Sequence, residues 1–138
     1  MWVCLVHEWA LAEAVVMSVV EFARSRGASR VRRVVVSLGE LQAVDREILG
    51  FALEELRKGA SVPIDEFVLE EEEAVFRCRA CGFEWRLRDV SGLGEEVREY
   101  IHFVPEVVHT YLRCPRCGSP DFEVVRGRGV RIKEVVLG

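Results

Sequence analysis

Two Cys-x-x-Cys motifs constrain this chain more than any other feature of its sequence. The first contains Cys78 and Cys81, the second contains Cys114 and Cys117, and 32 residues separate them. A glycine follows each motif, and glycine lets the backbone turn beneath a metal at little steric cost. Four thiolates on two tight loops match the tetrahedral coordination of Zn²⁺, with Zn–S bonds of about 2.3 Å. The sequence therefore predicts a structural zinc site in which sulfur takes all four positions.

Other uses of these cysteines fit the sequence less well. Two disulfides would need an oxidising compartment, and the opening Met1–Val6 segment lacks the basic residue of a secretory signal. A thioredoxin-like centre would use one such motif at the start of a helix, whereas here two occur in polar loops. A zinc hydrolase would need an open coordination position, which four cysteines do not leave.

Length and charge limit the remaining classes of function. A chain of 138 residues allows one main body and one small metal-held module. The net charge is −4, and the predicted zinc region, residues 76–120, carries seven arginines against six acidic residues. A nucleic-acid interface normally needs an excess of basic residues on one face, so nucleic-acid binding is disfavoured. No apolar run reaches the length of a membrane span, and we expect a soluble, cytoplasmic protein.

The hydrophobic pattern predicts two helices in the main body. The first is expected from Trp9 to Gly27, with His7 and Glu8 just before it, and the second from its N-cap Asp45 to Lys58. Strand-like segments, rich in β-branched residues or bounded by turns, are residues 30–38, 64–69, 83–87, 121–125 and 130–136. A short helix is also expected from Glu95 to Tyr100.

The final strand has no later segment to pair with, so it must return to the sheet of the main body. The prediction is an α+β fold in which two helices pack on a small mixed β-sheet and a zinc ribbon is inserted. The expected main domain comprises residues 1–75 and 121–138, and the zinc-ribbon domain residues 76–120.

Outside the cysteines, few residues offer chemistry, and no nucleophile, general base or phosphate loop of a known pattern is present. An enzyme is therefore not expected. His7 and Glu8 lie near a predicted helix start, where backbone amides are free, and an imidazole with backbone nitrogens suits square-planar Ni²⁺ or Cu²⁺. His102 and His109 lie between the zinc motifs, with Pro105 interrupting any single helix there. Cys4 is a free thiol with no assigned role.

Several motifs together resemble the HypA/HybF family of nickel metallochaperones, which act in the maturation of nickel–iron hydrogenases. They are His7-Glu8, the segment Val36-Ser-Leu-Gly-Glu-Leu41, and the two late cysteine motifs. The resemblance covers nearly the whole chain from Val6, and the long insert looks like that of the archaeal branch.

The resemblance implies particular ligands and partners. Zinc is expected on the four motif cysteines as a structural cofactor, and Ni²⁺ on His7, with Glu8 and His102 as further candidates, as transferred cargo. Expected partners are a HypB-type nucleotide hydrolase and the hydrogenase large subunit, and a homodimer is left open. The alternative function is a zinc-ribbon module that binds nucleic acid or transcription proteins.

One departure from the family concerns the chain start. Family members begin Met-His-Glu, whereas here Met1–Val6 precedes His7 and would remove the terminal amine from a nickel site. Our hypothesis is that translation begins at Val6, and the intact mass of the native protein tests it.

Overall fold

The computed structural model describes the backbone of residues 2–90 and 92–138, and the side chains of residues 7–90, 92–101 and 104–138. The helices are α1 (Trp2–Ser25), α2 (Arg46–Arg57), α3 (Glu95–Phe103) and α4 (Val108–Tyr111). The strands are β1 (Val31–Gly39), β2 (Phe67–Glu72), β3 (Val75–Cys78), β4 (Glu84–Arg86), β5 (Phe122–Arg126) and β6 (Val130–Leu137). None of the described helices is long and apolar enough to cross a membrane.

A three-stranded sheet with the order β2-β1-β6 forms the centre of the first unit. It is mixed, because Val31 and Ile64 form a parallel bridge where β1 begins, whereas β6 runs against β1. The Gly138 amide at the end of β6 donates to the carbonyl of Arg30, just before β1, at 2.9 Å. The prediction that the last strand returns to this sheet is confirmed, and so is the predicted α+β fold.

Helices α1 and α2 pack against each other and run in the same direction. Glu8, early in α1, contacts Asp45 at the start of α2, and Arg24, late in α1, donates to Ser61 just beyond the end of α2. As predicted, Asp45 caps α2, with its Oδ1 accepting the amide of Ile48 at 3.1 Å. Residues at helical spacing in both helices are fully or almost fully buried and form the core, including Ala12, Val15, Val19, Leu49 and Leu53.

The predicted start of the first helix was wrong. Helix α1 begins at Trp2 rather than at Trp9, so His7 and Glu8 lie within it. No stop signal separates residues 2–8 from Trp9, since these residues include neither proline nor glycine. Glu8 is buried at the spacing of the apolar residues that follow it, so the buried stripe of α1 starts one turn earlier than the apolar residues alone indicate.

The second unit contains an antiparallel sheet with the order β4-β3-β5. Phe76 of β3 lies opposite Trp85 of β4 and Val124 of β5. Phe76, Trp85 and Phe122 pack ring against ring, with centroids 5.3 to 5.5 Å apart. This aromatic cluster, together with Ile101, Val108 and Leu112 from the insert, forms a core of its own.

The chain divides between the units at points that differ from the predicted boundaries. The first unit is Met1–Ser37, Val44–Glu70 and Arg131–Gly138, and the second is Leu38–Ala43 and Glu71–Val130. Strand β5 therefore belongs to the second unit, because it pairs with β3. The short segment Leu38–Ala43 belongs there too, because Leu41 is 2% exposed within the second core.

Close backbone packing explains two glycines of the second unit. The amide of Leu41 donates to the carbonyl of Gly127 at 2.7 Å. A Cβ atom on Gly39 would lie 2.3 Å from the Gly127 oxygen, and one on Gly127, whose φ is +86°, would lie 2.4 Å from the Cα of Ala74. Any side chain at either position would push these backbones apart.

Candidate metal centres

Four cysteines from two separate loops meet at one point of the second unit. The Sγ atoms of Cys78, Cys81, Cys114 and Cys117 all lie within 4.8 Å of one another. Sγ of Cys78 is 3.5 Å from that of Cys117, and Sγ of Cys81 is 3.6 Å from that of Cys114. Tetrahedral zinc with bonds of about 2.3 Å needs sulfurs about 3.8 Å apart. The cluster therefore has the size, the chemistry and the closed coordination of a structural zinc site.

The two loops reach this point through the same local geometry. In the first, the amide of Cys81 points at Sγ of Cys78 at 3.4 Å, and the amide of Gly82 donates to the Cys78 carbonyl at 2.9 Å. The second loop repeats these contacts from Cys117 and Gly118 to Cys114, at 3.5 and 2.8 Å. Both glycines have positive φ, +79° and +75°, which explains why a glycine follows each motif.

The protein environment shifts the pKa values of Cys78, Cys114 and Cys117 in different directions. The amide of Cys81 lowers the pKa of Cys78. Burial raises the pKa of Cys114, but the amides of Cys117 and Arg116 outweigh it, so this pKa falls to about 7. For Cys117 the Ser119 amide lowers the pKa, yet contact with Cys78 and burial raise it to about 12. The two buried cysteines therefore lose their protons more readily than an ordinary thiol, whereas Cys117 keeps its proton until a metal displaces it.

Zinc affinity should fall more steeply with acidity below pH 7 than above it. Above pH 7 the thiol of Cys114 is already ionised, whereas below pH 7 zinc must also displace its proton. For each additional proton that zinc must displace, the apparent zinc affinity falls about tenfold more for every unit by which the pH is lowered. Competition with a chromophoric chelator between pH 6 and pH 8 measures this slope. A slope that is unchanged through pH 7 would contradict the assigned ionisation of Cys114.

His7 lies in α1 with its side chain exposed to solvent. An exposed imidazole can accept a metal without disturbing the core. The amides of His7 and Glu8 lie beyond the first four residues of α1, where helical N–H groups bond to carbonyls four residues back. Consequently, a site that uses these backbone nitrogens requires the first turns of α1 to open.

Glu8 points into the protein instead. Its side chain is 0% exposed, and Oε2 accepts the amide of Asp45, at the start of α2, at 2.5 Å. A carboxylate is stabilised there by the positive end of the helix dipole. The other oxygen, Oε1, is buried and has no hydrogen-bond partner among the described residues. Sequence reasoning treated Glu8 as a ligand candidate and missed this contact between the two helices.

Replacing Glu8 by alanine should therefore destabilise the fold. The change removes a hydrogen bond to a charged group, which contributes about 1.5 to 3 kcal/mol, and leaves the amide of Asp45 without this acceptor. Urea unfolding followed by circular dichroism measures the loss. Glu13→Ala, at an exposed position of the same helix, should change the free energy of unfolding by less than about 0.5 kcal/mol. Equal stability of the two variants would show that Glu8 has no structural role.

The remaining candidate residues are His102, Cys4 and His109. His102 falls within the bounds of α3, but its side chain lies outside the described residues, as does that of Cys4. The insert breaks after α3, and a 3-10 helix begins at Pro105, as the sequence indicated. His109 lies in α4, is exposed, and stacks on Phe122 with ring centroids 4.5 Å apart. It is not part of the cysteine cluster.

Comparison with known proteins identifies the family. The family described as "Hydrogenase/urease nickel incorporation, metallochaperone, hypA" matches residues 6–137 of the chain. The chain belongs to the HypA family. Two similar relatives, from Pyrococcus horikoshii and Pyrococcus furiosus, are each named hydrogenase maturation factor HypA. They are 59% and 55% identical over 132 residues, which is 95% of this chain and 95% of each relative.

A solved structure shows the same fold at low sequence identity. The solution structure of the Ni metallochaperone HypA from Helicobacter pylori superposes with a TM-score of 0.62 and is 20% identical. The match covers 94% of this chain and 96% of that one. The α+β architecture therefore persists in the HypA family where most side chains differ.

Proposed function

We propose that this chain binds Ni²⁺ and delivers it to the large subunit of a nickel–iron hydrogenase during maturation, without itself catalysing a reaction. Membership of the HypA family supports nickel handling in hydrogenase maturation. The observation that carries the proposal to this chain is the exposed imidazole of His7 near the start of α1, in a molecule whose cysteine cluster is already complete for zinc.

Nickel is cargo in this proposal, so its site must open and close. Helical residues that are adjacent in sequence do not face each other, and accordingly His7 is exposed whereas Glu8 is buried. One ion can reach both only if α1 opens at its first turns, which frees their amides and the unpartnered Oε1 of Glu8. Such opening breaks the hydrogen bond between Glu8 and Asp45 but leaves the apolar core from Ala12 onward in place, so it costs less than opening of the core and suits a site that must release its ion. His102 is proposed as an additional ligand from the insert.

Zinc would hold the second unit together, with Cys78, Cys81, Cys114 and Cys117 as its ligands. A sulfur-filled zinc site supplies folding free energy and leaves no position for substrate. The role of zinc in this proposal is to hold the two cysteine loops together and so to stabilise the aromatic core of the second unit.

Charge pairing in the second unit argues against the alternative, a nucleic-acid module. Arg77 contacts Glu84 and Glu123, and Arg79 contacts Asp121. Arg86 and Arg88 both contact Glu73. Arginines whose charges are matched by neighbouring carboxylates do not form the basic face that nucleic acid needs.

Metal transfer in a purified system tests the proposal. The zinc-loaded protein is charged with radioactive nickel, desalted, and mixed with the nickel-free large subunit, with and without a HypB-type nucleotide hydrolase. The large subunit is expected to take up more nickel from this protein than from a chelator that buffers free nickel at the same concentration. Equal uptake from the chelator would exclude delivery.

A further inference from the structure

An open groove of about 460 Å³ runs along the solvent side of α1 and the end of α2. Val16, Val20 and Leu56 give it apolar walls. Met17 lies in the same lining and is 63% exposed. An apolar groove beside an exposed methionine is characteristic of surfaces that bind varied apolar partners, because the unbranched thioether chain adapts its shape.

Two carboxylates flank this methionine. Glu13, Met17 and Glu21 are spaced four residues apart on α1 and so lie on one stripe of the helix. Both glutamates are exposed and line the groove. Within the described part of the chain, neither forms an ion pair.

The charges at the end of α2, near the groove, are already paired. On α2, Glu54 pairs with Arg57 at 2.8 Å, and Glu55 pairs with Lys58 just beyond the helix at 2.7 Å. Arg24, at the far end of the groove, donates to the hydroxyl of Ser61, a contact that does not neutralise its positive charge. An incoming partner therefore meets Glu13 and Glu21 on either side of Met17 and Arg24 at the far end, which leaves an excess of negative charge beside the apolar surface.

The apolar surface continues towards the other end of the helix pair. Trp9 of α1 and Phe51 of α2 meet edge to face with ring centroids 6.1 Å apart, and Phe51 is 61% exposed. Met17 and this aromatic pair therefore present apolar groups at two points along the helix pair, and a partner helix that lies along α1 would contact both.

We propose that this groove binds an amphipathic helix of a partner protein, with lysine or arginine flanking its apolar face. Glu13 and Glu21 are eight residues apart, about 12 Å along the helix axis. Basic residues seven or eight positions apart on the partner helix would match this distance. The docking surface centres on Met17, ten residues beyond His7 in α1, and its test uses zinc-loaded protein without nickel.

Methionine labelling gives a direct readout, because the chain contains two methionines, Met1 and Met17. Zinc-loaded protein with ¹³C-labelled methionine methyl groups is titrated with a synthetic amphipathic helix made of leucine and lysine. A second peptide, with glutamate in place of lysine, is the control. The Met17 methyl signal should shift and saturate with the lysine peptide and respond much less to the glutamate peptide.

Charge reversal tests whether the two carboxylates are responsible. The double variant Glu13→Lys, Glu21→Lys should bind the lysine peptide at least about tenfold more weakly and the glutamate peptide more tightly. The matched control is Glu95→Lys, Glu99→Lys, at exposed positions of α3, which changes net charge equally and should alter affinity by less than about twofold.

Three results would overturn the proposal. Equal weakening in the two double variants would show attraction to net charge rather than to the groove. A Met17 shift that follows protein concentration without peptide would show that a second copy of this chain covers the surface. Absence of any Met17 shift with the lysine peptide would show that the groove does not bind such a helix.

Discussion

Replacement of Cys114 by serine is expected to abolish tight zinc binding and to unfold the second unit. Cys114 is 2% exposed, and its Sγ lies 3.6 Å from that of Cys81. A serine hydroxyl does not replace a thiolate ligand, so three sulfurs remain for the ion. The free energy of zinc binding in small structural sites is about 10 to 16 kcal/mol. The free energy of unfolding of a typical domain is about 5 to 15 kcal/mol, which is no larger. Loss of the ion should therefore remove the second core.

Two measurements detect the loss of zinc and of the second core in Cys114→Ser. Zinc content after dialysis should fall from one ion per chain to nearly none, and the near-ultraviolet circular dichroism of the buried Trp85, Phe76 and Phe122 cluster should disappear. Cys4→Ser is the matched control, since Cys4 belongs to neither motif, and it should retain the metal. A Cys114→Ser protein with full zinc content and an intact aromatic signal would show that the cluster is not the zinc site.

Replacement of His7 by alanine is expected to reduce nickel affinity by about 100-fold or more, an effect at or above the upper range for groups that only support a metal ligand. The side chain is exposed, and so its removal should leave the core, the zinc content and the unfolding transition unchanged. Isothermal titration of the zinc-loaded protein with Ni²⁺ measures the change in affinity.

His109→Ala is the matched control for this experiment. His109 is also exposed but stacks on Phe122 in the second unit, and its removal should leave nickel affinity within about threefold of the unmodified protein, because the resemblance assigns it no ligand role. Unchanged affinity in His7→Ala, or an equal loss in both variants, would contradict the assignment of His7.

The cysteine cluster was predictable because its signal is local. Two Cys-x-x-Cys-Gly segments each fix their own loop through a positive-φ glycine and an amide directed at the first sulfur. The sequence then needs only to bring the loops together, and a bound zinc ion would supply free energy for that. The return of β6 to the first sheet was predictable for a topological reason, since a final strand must pair with one already present.

The start of α1 and the position of Glu8 could not be predicted in the same way. A charged residue at a buried helical position breaks the hydrophobic pattern that marks a helix. Its burial is compensated by the amide of Asp45, a contact between positions 37 residues apart. Such a partner is set by tertiary packing, so the pattern of α1 alone gives no sign of it.

The segment Leu38–Ala43 shows a similar limit. It begins at the end of the strand predicted for residues 30–38 of the main body, yet Leu41 lies in the core of the second unit. The side chain of Glu40 accepts the amide of Ala74 at 2.9 Å, and Gly39 allows the backbone at Gly127 to approach. The sequence alone does not specify these long-range contacts. They are the reason why the boundary between the units differs from the predicted one.

The central claim is that one chain carries two metal sites of different character, a closed sulfur site for zinc and an open nitrogen-rich site for nickel. Titration of the zinc-loaded protein with Ni²⁺, followed together by native mass spectrometry and visible absorption, tests it most directly. The account predicts a species with one zinc and one nickel, and the absorption band of a planar nickel–nitrogen complex that is absent in His7→Ala. Displacement of zinc by nickel at the cysteines, with no species that holds both ions, would contradict it.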